Sequence, residues 1–255
     1  MGLLPFLLVG LLAVVGLLGI HLHRQRRQRA WDRLVTRDPA LEPTAAPLGW
    51  DRHRLQATCA SLPEGDRRYG LELGVEGPVT TTVSGQRAVL PCAAFRWWYE
   101  QRRHDQQHSH RYRTRRTTVA IARLPAAVPT PVRIGPESVL GRLGVTRGGR
   151  QLESSEFNRR FRVECPDDRF AVLLLDADLQ ATLLDAYQGR SVELIGDLVV
   201  LKGTPAHRDG SLGSVVGQLP AVRQDLGRLV AALPSQLWRQ LEGGRTHLRQ
   251  PGGHP

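Results

Sequence analysis

The first twenty positions, Met1 to Ile20, carry no charged and no strongly polar side chain. As a helix rising 1.5 Å per residue, such a run reaches roughly 30 Å, the thickness of a bilayer core. No basic residue precedes it, and His21-Leu22-His23-Arg24 stands where a signal peptide would carry a small-x-small cleavage site. The pattern therefore predicts an uncleaved transmembrane anchor over residues 1–22. From Gln25 to Thr36 it allows a helix continuing outward, with Trp31, Leu34 and Val35 on it. Asp38-Pro39 and the stretch Glu42 to Pro47 then break the periodicity, because proline blocks helix continuation. Residues 23–47 read as a basic juxtamembrane segment and linker, with a folded region over 48–242.

Beyond Trp50 the period changes to two. Tyr69–Val75, Val79–Val83, Ala88–Tyr99 and Tyr112–Leu124 are rich in β-branched and aromatic residues, separated by Gly-Pro, Ser-Gly and polar segments. The last two predict a long hairpin with its tip at Glu100 to His110. Phe95, Trp97 and Tyr99 fall on one alternation of that hairpin and Trp98 on the other. One tryptophan then belongs to the core, and the other is covered by a further element or turned outward. Leu124 to Pro131 is a proline-punctuated turn, followed by an extended Val132–Ile134.

In the second half the periods mix. Ser154, Ser155 and Glu156 suit the start of a short helical turn before Phe157, and Phe161, Val163 and Cys165 alternate as a strand. Asp176 or Asp178 caps a helix carrying Leu179, Leu183 and Tyr187. Val192–Ile195 and Leu198–Leu201 flank Gly196-Asp197, a two-residue hairpin signal. Pro220 opens a helix with Val222, Leu226, Leu229, Val230 and Leu233 on its apolar face, interrupted at Pro234 and resumed by Leu237, Trp238 and Leu241. Residues 243–255 are polar and glycine-rich and read as a disordered tail. The fold class that follows is α+β: a transmembrane helix, then one domain with a mainly antiparallel sheet and a few packed helices.

Charge sharpens this picture. The chain has 255 residues and a net charge of +11, concentrated in two places. Residues 21–37 hold six arginines against one aspartate, and 96–116 hold seven arginines against two acids; the rest is nearly neutral. Arg24, Arg26, Arg27 and Arg29 flank the C-terminal end of the apolar run. The positive-inside rule then places the N-terminus outside and the domain in the cytoplasm of a single-pass cell-membrane protein. The same four arginines are placed to meet anionic headgroups of the lipid bilayer, at about 1 kcal/mol each.

One string has a wider likeness. Ser155-Glu156-Phe157-Asn158-Arg159-Arg160-Phe161-Arg162-Val163, followed by Asp168-Arg169-Phe170-Ala171, resembles a signature of uncharacterised bacterial single-span membrane proteins. Those proteins also carry an aromatic strand like Phe95–Tyr99 ahead of it. A hairpin like Val192–Leu201 comes after it, and then a closing helix ending Leu-Pro-x-x-x-Trp, like Leu233 to Trp238. The resemblance runs over residues 48–242 in order of elements. It implies architecture and membrane location and transfers no catalytic residue.

The candidate chemistry is sparse. His104, His108 and His110, with Asp105 between them, have donor types suited to zinc, nickel or copper. They fall at a hairpin tip among Arg102, Arg103, Arg111 and Arg113, whose charge opposes a cation, so a solvated loop is the preferred reading. Arg111, Arg113 and Arg115 alternate onto one strand face beside Tyr112 and the tryptophans. A solvated charged hairpin is the first reading of this segment; with Trp98 the three arginines are the candidate interaction surface, for which a lipid or protein contact ranks second and nucleic acid third. Cys59, Cys92 and Cys165 are widely spaced and odd in number, as reduced thiols are, and Cys92 and Cys165 sit in apolar strand patterns as core fillers. Asp176-Ala177-Asp178 has metal-binding spacing, but a helix start accounts for both acids. Lys202 is the only lysine, so lysine chemistry has a single position to occupy. There is no phosphate-binding glycine loop and no His-Glu-x-x-His or Gly-x-Ser-x-Gly string, and no cofactor is implied. The sequence thus favours a non-catalytic, membrane-tethered interaction module with a protein partner of unknown identity. The alternative is a membrane-associated enzyme of unstated reaction.

Overall fold

A long hairpin organises the molecule. In a computed structural model, strands β2 (Tyr69–Val83), β3 (Gln86–Arg102) and β4 (Tyr112–Arg123) form a three-stranded meander of unusual length. The structure describes residues 41–50, 52–58, 68–83, 85–102, 112–137, 152–203 and 212–239, with seven isolated positions between 18 and 29. The span expected over residues 1–22 lies almost wholly outside them; Leu18, Gly19, His21 and Leu22 are helical. Among the described residues, no helix is long and apolar enough to cross a membrane.

The other elements are β1 (Glu42–Pro43), α1 (Arg52–Thr58), β5 (Val132–Pro136), α2 (Ser155–Arg160), β6 (Phe161–Glu164), α3 (Asp168–Leu174), α4 (Ala177–Ala186), β7 (Ser191–Ile195), β8 (Leu198–Lys202) and α5 (Leu212–Ala231). The strands join in one antiparallel sheet, ordered β1-β2-β3-β4-β8-β7-β5-β6. The expected α+β class, mainly antiparallel with a few packed helices, is the one observed.

Three expectations are corrected and one helix is added. The two strands read at 69–75 and 79–83 are one strand running through Gly77-Pro78, because Pro78 stands directly opposite Pro91. Neither proline has an N–H to give, so the pair falls at a rung where the two strands exchange no bond and the ladder loses nothing. The linker placed at 23–47 ends too late: β1 pairs with β2, and Leu41 is buried in the core. The α5 helix starts at Leu212, with Pro220 inside it. Proline there removes one backbone bond, at about 3 kcal/mol. Burial of Leu219, Val222, Leu226, Leu229 and Val230 offsets it at roughly 1.5–3 kcal/mol each. Finally, Asp167-Asp168 begins a helix that the sequence pattern did not predict. Asp167 accepts from the N–H groups of Arg169 and Phe170, and Phe170, Ala171 and Leu174 are buried.

Both faces of the sheet are covered, unequally. On one face α5 packs against β2, β3 and β4, and Val75, Cys92, Ala94, Ala120, Val199 and Leu201 close the main core against it. On the other face Ala93, Phe95, Trp97, Ile121 and Val200 form a smaller core beneath Trp50 and Leu55 of the N-terminal segment. The string Phe157–Val163 is structural. Ser154 caps α2 by accepting from the Phe157 N–H, and Phe157 stacks on Phe161 at 5.0 Å between ring centres. Asn158 clamps the backbone of Leu152, whose N–H donates to Oδ1 while Nδ2 donates to the carbonyl. Gly196, at φ +56°, makes the tight β7–β8 turn that Gly196-Asp197 promised.

Candidate interaction surface

The register of the hairpin decides what shares a face. Arg102 pairs with Tyr112, Trp98 with Arg116, Trp97 with Thr117, and Cys92 with Ala122. β3 thus runs three residues into the expected tip, through Glu100, Gln101 and Arg102. Directly opposed residues point the same way, and the direction alternates along each strand.

Trp97 points to the smaller core. It is fully buried and stacks on Tyr69 at 5.5 Å between ring centres with planes 29° apart. The Tyr69 hydroxyl lies 3.1 Å from Nδ1 of His53 on α1. Trp50 closes the same side, with the guanidinium of Arg54 4.7 Å from its ring centre and that of Arg123 5.7 Å. Such cation–π contacts contribute about 0.5–1 kcal/mol each at partly exposed sites. This face is sealed by the segment that follows β1.

Trp98 points to the opposite face and is half-buried. Its indole lies over Gly70, where an added Cβ would come within 3.2 Å of Nε1. Gly70 is thus a seat for the ring, the arrangement by which an aromatic shields a glycine across a strand pair. Around it on the same face stand Arg96, Glu100, Tyr112, Thr114 and Arg116. Tyr112, Thr114 and Arg116 are exposed.

This separates the residues that the sequence grouped together. Arg115 stands opposite Tyr99, on the Trp97 side, so it does not lie beside Trp98, and Arg113 pairs in register with Gln101 rather than with Trp98. Tyr112 is on the Trp98 side, away from Arg115. Arg111 lies outside the described residues, as do His104, His108 and His110. Arg24 and Arg27 also lie outside them, whereas Arg26 and Arg29 are described only as helical. The arginines missed were Arg96 and Arg116. Their signal was parity, since any hairpin tip with an odd number of residues puts Trp98 with the even-numbered positions of β4.

The remaining candidates resolve into structure. Asp176 Oδ1 accepts the Leu179 N–H at 2.9 Å and caps α4, and Asp178 follows in the first turn. Burial pushes the Cys92 thiol up to about 12, Arg223 pulling it down and Glu76 pushing it further up. That thiol stays protonated and unreactive at neutral pH. Cys165 is half-buried, and its Sγ donates to the Asp167 carbonyl. Lys202 is held below the usual lysine range by burial first and by Arg133 next, with Glu193 opposing. It belongs to a row of alternating charge across β8, β7, β5 and β6. In that row Arg133 donates to buried Glu193 at 2.6 Å and to Glu164 at 3.3 Å, and Arg162 forms an ion pair with Glu164 at 3.2 Å. Among the described residues no group of three or more His, Cys, Asp or Glu could hold a metal ion. An open groove of about 640 Å³ lies between α3 and the chain after α5, with Asp168, Arg169, Val172 and Gln236 on its walls.

No family model and no curated protein matches the chain. Among solved structures it is similar to the crystal structure of the mycobacterial trehalose monomycolate transport factor A, TtfA, at 10% sequence identity and a TM-score of 0.42, covering 80% of this chain and 96% of that one.

Proposed function

We propose that this chain is a non-catalytic interaction module, tethered to the cell membrane by residues 1–22 and presenting its domain to a protein partner on the cytoplasmic side. The observation that carries the contact is the juxtaposition of half-buried Trp98 and exposed Arg116 on the β2–β3–β4 meander. Tryptophan and arginine are both among the residue types enriched where protein interfaces draw most of their binding energy. Membership in the single-span family suggested by Phe157–Val163 is part of the same proposal.

A photoreactive amino acid at position 116 tests the contact in cells. It should give a discrete adduct that Trp98→Ala reduces at least about fivefold, a loss of about 1 kcal/mol. The same group at Asp185, exposed on α4 away from the meander, should give none. Equal adducts at both positions would remove the Trp98 face as the contact.

The tether has its own test. With a cytoplasm-active fluorescent reporter fused at Pro255, the wild-type chain should fluoresce. Replacing Arg24, Arg26, Arg27 and Arg29 with Glu should lower the signal severalfold, because basic flanks are held on the cytoplasmic side. A periplasm-active phosphatase at Pro255 that is active in the wild type would overturn the orientation.

A further inference from the structure

The outer side of β2 is bordered by β1 only as far as Glu76. Glu42 stands opposite Glu76, Pro43 opposite Val75, and the Thr44 N–H donates to the Gly74 carbonyl. From Gly77 to Val83, no described strand lies on that side. The register identifies the backbone groups that face outward there. Pro78 and Pro91 oppose each other at a rung without bonds, so Pro78 and every second residue from it turn their backbone polar groups away from β3. Gly74 obeys the same parity, which is why Thr44 can reach it. The Pro78 carbonyl accepts from Arg223 Nη1 at 2.6 Å. Thr80 and Thr82 come next, each with an N–H and a C=O that no described residue binds.

Helix α5 is the second wall. Gly227 lets it approach closely: an added Cβ would lie 2.7 Å from Val79 Cγ2, and the Gly227 carbonyl accepts from Thr81 Oγ1 at 2.6 Å. Between strand and helix runs a groove of about 490 Å³, walled by residues 78–82 on one side and by Arg223, Gln224, Gly227 and Arg228 on the other. It is roughly 13 Å long, the rise of four strand residues. Its walls carry two arginines and no acid. The Arg228 side chain is 74% exposed, and its Nη1 lies 3.7 Å from Asp225, whose other oxygen is held by Arg190 at 2.7 Å.

We infer that this groove takes an extended acidic segment of a partner protein, added to the open edge of β2 as one more strand. Thr80 and Thr82 supply the main-chain bonds, and Arg228 and Arg223 meet alternate carboxylates of the added strand. Adding a strand beside a helix draws affinity from backbone bonds and specificity from alternate side chains. The site is at the far end of β2 from Gly70 and Trp98, so it does not depend on the contact proposed there.

The test uses the full chain in lipid nanodiscs and a fluorescein-labelled peptide, Glu-Val-Glu-Val-Glu-Val, with Lys-Val-Lys-Val-Lys-Val as control. Anisotropy should report binding of the acidic probe in the micromolar to millimolar range and none of the basic one. Hydrogen exchange at the amides of Thr80 and Thr82 should slow when the acidic probe is added. Thr80→Pro removes an outward N–H that β3 does not use and should weaken the probe about tenfold, as should Arg228→Glu. If Thr80→Pro lowers the melting temperature, the exposed Arg228→Glu variant decides. No acidic binding up to about 1 mM, equal binding of both probes, or unchanged binding by Arg228→Glu would each overturn the inference. So would protection of the Thr80 and Thr82 amides before any probe is added, which would mean that the edge is already paired.

Discussion

Trp97→Ala destabilises the domain by about 3–5 kcal/mol, whereas Trp98→Ala costs less than about 1.5 kcal/mol. The two residues are adjacent and chemically identical, so the difference isolates their surroundings. Trp97 is fully buried, stacked on Tyr69 and enclosed with Phe95, Val119 and Ile121 under Trp50 and Leu55. Its removal leaves a cavity that a sheet pinned between two cores cannot close. Trp98 lies only half-buried, over Gly70. At about 3 °C per kcal/mol for a domain of this size, the Trp97 variant should melt about 10 °C lower and the Trp98 variant within about 4 °C of wild type. Thermal unfolding of the full chain in mild detergent, followed by circular dichroism, measures both. A larger loss for Trp98→Ala than for Trp97→Ala would mean that the two faces are exchanged, as a one-residue slip of the strand would do.

The second large effect is alkaline. Cys92 sits in the main core, and burial pushes its thiol from 9.0 to about 12. Its stabilising contribution is complete below about pH 9, where the thiol is neutral in both folded and unfolded chains. Above that, the unfolded chain ionises first. Stability then falls by about 1.4 kcal/mol per pH unit, approaching about 4 kcal/mol near pH 12. Tyr187, which burial raises from 10.0 to about 12, adds a similar loss that begins one unit later. Lys202 works in the opposite sense: its depressed folded value means that rising pH restores stability up to the ordinary lysine range near 10.5. Urea unfolding between pH 8 and 10.5 should show a steeper decline for wild type than for Cys92→Ala, while Tyr187→Phe should change the slope only above about pH 10. Cys92→Ala carries a cavity cost, but that cost is independent of pH and cancels from the slope. Parallel pH profiles for wild type and Cys92→Ala would show that the thiol is not buried as described.

Where the chemistry is local, the sequence was sufficient. Asp176 as a cap, Gly196-Asp197 as a turn, and Leu179, Leu183 and Tyr187 on one helical face depend only on neighbours within four residues, and all appear as read. The alternation of Trp97 and Trp98 is equally local, so the sequence already required that they face opposite ways. What it could not say is which side is covered, because the cover comes from Trp50 and Leu55, more than forty residues earlier. The α3 helix was missed because Pro166-Asp167-Asp168 suits a turn and a helix start alike. Burial of Phe170 and Leu174 against the rest of the core decides between them.

The candidate surface shows the same division. Grouping Arg111, Arg113 and Arg115 with Trp98 followed from their closeness along the chain, whereas parity across the hairpin places Arg116 beside Trp98. The continuous β2 was hidden by Gly77-Pro78, a breaker in isolation that is harmless opposite Pro91. The sequence by itself determined the apolar run, its basic flank, the mainly antiparallel class and the local caps and turns, since each is written in adjacent residues. Only the tertiary structure decided which tryptophan is buried, which arginines surround the other, and that the edge of β2 beside α5 has a basic groove. Those features depend on register and on packing between segments up to 150 residues apart, and no local pattern encodes the free energy of such contacts.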